Sequence, residues 1–159
     1  MNKNKVNLIP LIFAIIFPIA LGTLVSLFGV GSQSYYSQLQ TPPLSPPGFI
    51  FPIVWTILYT LMGISSYLIY FSSKKYPQRK PALVFYLLQL AVNMLWSICF
   101  FTFTNVTAAM ICLVCLWLLI IFMLRAFSKV NRLAMALQIP YLLWVTFAGY
   151  LNGGILFLQ

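Results

Sequence analysis

Five apolar runs divide this 159-residue chain, at 8–28, 51–71, 82–102, 106–126 and 134–154. Each is close to the ~20 residues that carry a helix across a ~30 Å hydrocarbon layer at ~1.5 Å per residue. Inside lipid an unpaired amide has no water to turn to, so a run of this kind must close its hydrogen bonds within itself, as a helix. Composition points the same way. The chain is 62% hydrophobic and only 6% charged, whereas an ordinary soluble surface carries charge at about a quarter of its positions. The expected fold is all-α, a single domain over 1–159 built as an integral membrane bundle of five transmembrane helices. The long connection at 29–50 is its one sizeable loop.

The cations fall in three short clusters. Lys3 and Lys5 precede the first run, Lys74, Lys75, Arg79 and Lys80 separate the second from the third, and Arg125, Lys129 and Arg132 separate the fourth from the fifth. If every run crosses once, all three clusters emerge on one side, while the connections 29–50 and 103–105 and the tail carry no charge. The positive-inside rule then places the amino terminus in the cytoplasm and the carboxyl terminus outside, in a multi-pass protein of a bacterial-type cell (cytoplasmic) membrane. The first run begins with lysines like a signal peptide, but its apolar length exceeds a normal h-region, so a retained helix is expected. Anionic lipid headgroups, not nucleic acid, are the expected counter-charge, because the cations sit between apolar runs and form no soluble basic stripe. Five crossings also cannot be halved into a duplicated transporter architecture.

The +9 formal charge is one-sided: nine Lys and Arg residues and no Asp, Glu or His. Without carboxylate or imidazole there is no general acid–base pair, no triad and no ordinary metal-ligand set, so hydrolases and metalloenzymes are excluded as readings and no metal site is expected. A proton-coupled exporter that depends on a titrating membrane carboxylate is excluded for the same reason. Cys99, Cys112 and Cys115 all lie in apolar runs, where thiols behave as small hydrophobes.

Three of the runs carry an aromatic stripe at helical spacing. The second places Phe51, Trp55, Tyr59 and Met62 on one face; the third places Gln89, Asn93, Trp96 and Phe100 together, with Ser97 beside Asn93; the fifth places Tyr141, Trp144, Ala148 and Leu151 together. Turned inward, these faces line an aromatic chamber with a few hydrogen-bonding groups. The competing readings are plain helix packing, and interfacial anchoring for residues such as Tyr70, Tyr76 and Tyr86. For Asn93 the competitor is an amide that glues helices together. The loop holds Pro42, Pro43, Pro46, Pro47, Gly48 and Phe49, a stiff segment that is either a rigid connector or a lid, with Tyr35, Tyr36 and Phe49 available to pack inward.

The segment YYSQLQTPPLSPPGFIFPIVWTILYTLMG, followed by LAVNMLWSICFF and IPYLLWVTFAGYLN, resembles the TspO/MBR family (tryptophan-rich sensory protein, translocator protein or peripheral-type benzodiazepine receptor), and in particular a bacterial member. The likeness runs through Trp55, Asn93, Trp96, Ser97, Pro140, Tyr141, Trp144, Phe147, Ala148, Leu151 and Asn152. Tyr35 and Phe49 stand where the family commonly has tryptophan, and Ile98 where it has proline. The sterol pattern of animal members is missing at Asn152, Gly153, Gly154, Ile155 and Leu156, so sterol binding is not carried over. The resemblance implies a receptor or sensor that binds porphyrins (protoporphyrin IX, haem) and other flat hydrophobic or benzodiazepine-type ligands, with tetrapyrrole or lipid transport as the alternative. It places ligand-binding roles on Phe51, Trp55, Tyr59, Asn93, Trp96, Ser97, Phe100, Trp144, Phe147 and Ala148, and implies a homodimer with no required cofactor. Haem would be held by stacking, since no histidine can ligate it. Family members are associated with light-dependent porphyrin breakdown, for which Trp55 and Trp144 are the candidate electron donors. A stress-reporting interaction protein ranks last, because the basic loops are short.

Overall fold

The computed structural model describes residues 6–29 and 32–158 of the chain. Its helices are α1 (Leu8–Phe28), α2 (Ser32–Gln38), α3 (Ile50–Tyr70), α4 (Tyr76–Ser97), α5 (Val106–Val130), α6 (Arg132–Ala136) and α7 (Ile139–Leu158), with a π-helical turn at Ile98–Thr102 extending α4. Five spans are long and apolar enough to cross a membrane: Leu8–Phe28, Ile50–Tyr70, Tyr76–Thr102, Val106–Val130 and Arg132–Leu158. The described chain is an all-helical, multi-pass membrane protein.

Helix ends follow local chemistry more than hydropathy. Asn105 caps α5, its side chain accepting from the Ala108 amide at 2.9 Å, and Asn131 caps α6 through the Ala134 amide at 3.1 Å. α4 starts at Tyr76, ahead of the apolar run at 82, because Pro77 suits a first helical turn. α5 continues to Val130, past the run's end at 126. The last span is broken between α6 and α7 because Pro140 has no amide to offer the carbonyl of Ala136. The loop holds α2, a short helix that hydropathy does not signal. Lys3 and Lys5 lie outside the described residues.

The bundle closes around α4 and α5, whose buried faces include Ala82, Leu90, Leu113, Leu116, Ile120 and Met123, with Tyr141, Val145 and Ile155 of α7 against them. α1 is peripheral and packs on α3. That contact is very close: a Cβ built on Gly63 meets the Cα of Ile15 at 2.4 Å and the carbonyl oxygen of Ala14 at 2.6 Å. Pro18, four residues on, cannot donate to that carbonyl, so the glycine backbone settles against a group the helix leaves free. Phe13, Ile57, Leu87, Ile111 and Leu143 are exposed, an apolar outer surface that suits acyl chains and would aggregate in water.

Hydrogen bonds identify the two ends. At one, the Asn7 amide donates to the Tyr67 hydroxyl at 3.0 Å, and Arg79 reaches the Tyr70 carbonyl with its guanidinium 5.9 Å from that ring's centroid. At the other, Thr102 donates to the Phe28 carbonyl at 3.3 Å, Tyr35 to the Thr104 carbonyl at 3.3 Å, and Asn152 to the Val106 carbonyl at 3.0 Å. The seven described cations all belong to the first, basic end or to the helix ends leading into it.

Gly63 is therefore expected to tolerate no side chain. Gly63→Val should lower the unfolding midpoint in detergent, by the ~1–3 kcal/mol of an overpacked contact or more. Gly149→Ala, where a Cβ meets nothing within 4 Å, should leave it unchanged or raise it. Equal midpoints for Gly63→Val and the parent chain would remove the α1–α3 contact from this account.

Candidate functional site

A cavity of about 260 Å³ opens in the uncharged half of the bundle, between α1, α3 and α4 and beneath the loop. Trp55 is its aromatic centre. From the second turn of α3 its indole lies 5.4 Å from the Tyr59 ring, 5.8 Å from Trp96 and 6.2 Å from Tyr141, centroid to centroid. Phe51 lies one turn toward the loop on the same face of α3, and Asn93, Trp96 and Ser97 present the facing side of α4, all lining the cavity.

One hydrogen-bonded chain forms the floor. Tyr59 donates to Oδ1 of Asn93 at 3.0 Å, Nδ2 of Asn93 donates to the Tyr141 hydroxyl at 3.3 Å, and that hydroxyl donates to Oε1 of Gln89 at 2.8 Å. Asn93, Tyr141 and Gln89 are all buried. A buried amide in lipid is costly unless paired, and here both ends of the Asn93 amide are occupied. Asn93 is thus at once a chamber residue and a tie between α3, α4 and α7. Tyr59 is itself seated by α1: a Cβ on Gly22 would come within 2.3 Å of its ring.

The structure gathers six of the expected ligand residues on the cavity, Phe51, Trp55, Tyr59, Asn93, Trp96 and Ser97. It does not bring α7 to that wall. Trp144 stands behind Phe51, its ring 5.9 Å from Phe51 and 5.6 Å from Phe147, and its indole nitrogen is enclosed without a partner. Phe100 and Ala148 line a second cavity of about 20 Å³, which shares Tyr36, Phe51, Trp96 and Phe101 with the first. The expectation of Trp55 and Trp144 flanking one space does not match this geometry: Trp55 borders the chamber, and Trp144 packs against Phe51 without lining it. In its place α1 supplies a wall, through Ile19, Gly22, Thr23, Val25 and Ser26. The signal for that wall was the cluster of small and hydroxyl residues at Gly22, Thr23 and Ser26 in an otherwise aliphatic run.

The loop is held mainly by α7. The buried ring of Pro42 sits where a Cβ on Gly154 would stand, 2.5 Å away, and the Pro43 carbonyl accepts from the Tyr150 hydroxyl at 2.8 Å. Ser45 closes a turn on the Pro42 carbonyl through its amide at 3.3 Å and its hydroxyl at 2.7 Å. That turn leaves Leu44 at φ 68°, a region that favours glycine. Gly48 lines the chamber, whereas Phe49 is 59% exposed and faces away from it. Pro46 contributes a carbonyl that accepts from Tyr36 at 3.3 Å, and Pro47 one that accepts from the Ile50 amide at 3.0 Å. Tyr36 also borders the chamber and packs 5.1 Å from Phe51, while Tyr35 packs 6.0 Å from Phe100. Burial raises the pKa of both phenols, for Tyr36 against a smaller opposing effect of Ser45, which keeps them protonated as donors.

Among the described residues no group of His, Cys, Asp or Glu could hold a metal ion. The wall offers apolar area, ring faces and neutral hydrogen-bonding groups, which suits reversible binding of a flat apolar molecule.

Comparison with known proteins agrees with this architecture. The chain is 41% identical over 71 residues to the "Tryptophan-rich protein TspO" of Chlorobaculum tepidum, a match covering 45% of each chain. It is 39% identical over 67 residues to "Protein CrtK" of Rhodobacter capsulatus and 36% identical over 67 residues to a "Tryptophan-rich sensory protein" of Cereibacter sphaeroides, covering 42% of each chain in both cases. These matches thus span under half the length of each relative. The sequence model of the TspO/MBR family, by contrast, matches residues 14–158, from within α1 to the end of α7 and through every helix that builds the chamber. On that match the chain belongs to the TspO/MBR family.

Proposed function

We propose that this protein is a receptor-type sensor of the cytoplasmic membrane that binds porphyrins and other flat hydrophobic ligands in the chamber around Trp55. The observation that carries the reading is an indole packed among three aromatic rings at the edge of an uncharged cavity, above a hydrogen-bonded floor. Offset ring contacts contribute about 0.5–1.5 kcal/mol each beyond burial, enough for a planar ligand to gain from stacking without any coordinate bond. At about 260 Å³ the cavity is below the ~300–1,000 Å³ usual for drug-sized ligands, so a macrocycle is admitted only as α1 or the loop gives way. In this reading the basic end faces the cytoplasm, the chamber lies in the outer half of the membrane, and the protein works as a homodimer. The names carried by the relatives, tryptophan-rich and sensory, fit the same role.

Binding is favoured over passage by the floor. The Tyr59–Asn93–Tyr141–Gln89 chain crosses from α3 to α7 directly beneath the cavity, on the side toward the basic end. A substrate moving toward the basic end between α3 and α4 would have to part Tyr59 from Asn93.

A bound porphyrin could also be turned over with light. One-electron transfer from the Trp55 indole to the excited macrocycle yields a porphyrin radical anion and an indolyl radical cation, and needs no acid or base from the protein. Trp144, packed on Phe51, is placed as a secondary donor.

Tryptophan-fluorescence titration with protoporphyrin IX tests the site. Trp55→Phe and Asn93→Ala are expected to weaken binding by roughly 3–10-fold each, the worth of a lost ring contact or a broken floor, and Trp144→Phe by less than about twofold, as its ring is off the wall. Affinity indifferent to both Trp55→Phe and Asn93→Ala would sink the assignment. Under illumination, Trp55→Phe should lose most product formation and Trp144→Phe should keep most of it; equal rates in all three proteins would exclude tryptophan as the donor.

A further inference from the structure

Five of the six hydroxyls on the chamber wall have already given their protons away. Thr23 donates to the Ile19 carbonyl at 2.9 Å, Ser26 to the Thr23 carbonyl at 2.7 Å, and Thr56 to the Pro52 carbonyl at 2.8 Å. Tyr36 donates to the Pro46 carbonyl at 3.3 Å and Tyr59 to Asn93 at 3.0 Å. What these groups turn toward a ligand is lone pairs. One Asn93 amide proton is engaged by Tyr141, and the Trp96 nitrogen is enclosed. Among the described side chains three neutral donors remain, the second Asn93 amide proton, the Ser97 hydroxyl and the Trp55 indole, the last two not hydrogen-bonded to any described residue.

The backbone and the cations tell the same story. α1 and the extended α4 both end at the chamber, so two helix C-termini, each with partial negative charge, border it. α3 begins there, and a helix N-terminus can attract an anion. That terminus is largely spent: the Ile50 amide donates to Pro47, the Phe51 amide to Gly48, and Pro52 has none, which leaves the amide of the cap residue Phe49. Lys80, the cation of α4 nearest the chamber in sequence, is thirteen residues before Asn93, or about 20 Å along the helix. A carboxylate drawn into this space would lose its hydration and meet acceptors.

From this, and resting on the reading of the cavity as a ligand chamber, we infer that the wall discriminates by charge. Its ligand class is the uncharged flat molecule bearing a carbonyl or ester oxygen for Ser97 and Trp55. A tetrapyrrole with ionised side-chain acids is disfavoured against its ester. The discrimination resides in the spent hydroxyls and in the distance to any cation. It does not require the ring faces, which accept neutral and anionic macrocycles alike.

The test uses the full chain in nanodiscs of zwitterionic lipid and reads tryptophan quenching by protoporphyrin IX and by its dimethyl ester, each corrected for partition into protein-free discs. The ester is expected to bind at least tenfold more tightly. Thr23→Lys and Thr56→Lys, made separately so that one can fail to fold, should tighten the diacid and narrow or invert that ratio. A diacid bound as tightly as the ester by the parent chain overturns the inference. If neither porphyrin binds, the porphyrin reading fails on its own, and a matched neutral and anionic pair, naphthalene-2-carboxamide and 2-naphthoate, decides the charge question. Binding of the carboxamide alone supports the inference, whereas naphthoate binding equally well, or silence from both, overturns it.

Discussion

The structure depends on one constraint: a chain without acidic residues, placed in hydrocarbon, can pair its buried polar groups only with neutral partners or with one of its few cations. The backbone meets it by closing into helices. Side chains meet it through amides and hydroxyls, and the Tyr59–Asn93–Tyr141–Gln89 chain is the longest instance. A carboxylate at Asn93 would have demanded a cation or a proton at mid-membrane. The amide needs neither, because it donates and accepts at once. The chain therefore joins three helices through neutral groups alone.

Close backbone approach is the second consequence. Where lipid competes equally well for apolar side chains, helices gain from intimate packing, and glycine permits it. Gly63 brings α1 onto α3 below the chamber, Gly22 receives the Tyr59 ring at its edge, and Gly154 receives Pro42 above it. Three small residues thus set the distance between walls, floor and cover. The chamber is the space left where the α1 and α3 backbones part: they are in contact at Ile15 and Gly63, whereas at Gly22 the Tyr59 ring stands between them and beside the cavity.

Much of this was legible in the sequence. Hydropathy marks the spans because lipid punishes any other form, and helical spacing correctly groups Phe51, Trp55 and Tyr59, and likewise Asn93, Trp96 and Ser97, on common faces. Spacing says which residues share a face and nothing about which neighbour that face meets. Trp144 and Phe147 carry the same aromatic signature as Trp55, yet neither lines the cavity: Trp144 packs on Phe51 and Phe147 on Trp144. α1 was hard to read for the opposite reason. Its residues are apolar all round, so periodicity singles out no inward side, and only Gly22, Thr23 and Ser26 hint at one. The helix α2 was hidden because its polar sequence, SQSYYSQ, is held by Tyr35 and Tyr36 through contacts made with distant residues.

The same charge pattern that orients such a chain also limits what it can do. Catalysis by proton transfer needs a group whose pKa can be tuned near neutrality, and the described lining of the chamber holds no carboxylate, imidazole or thiol. In the proposed reading the ligand supplies the chemistry: a porphyrin brings its own excited state, and the protein needs only an oxidisable ring in contact and a space that excludes water. Trp55 answers the first condition, with its indole beside the cavity. The apolar lining and the closed floor answer the second. In that reading the pocket withholds water and charge, because Thr23, Ser26, Thr56 and Tyr36 spend their protons on backbone carbonyls and leave only lone pairs toward a ligand.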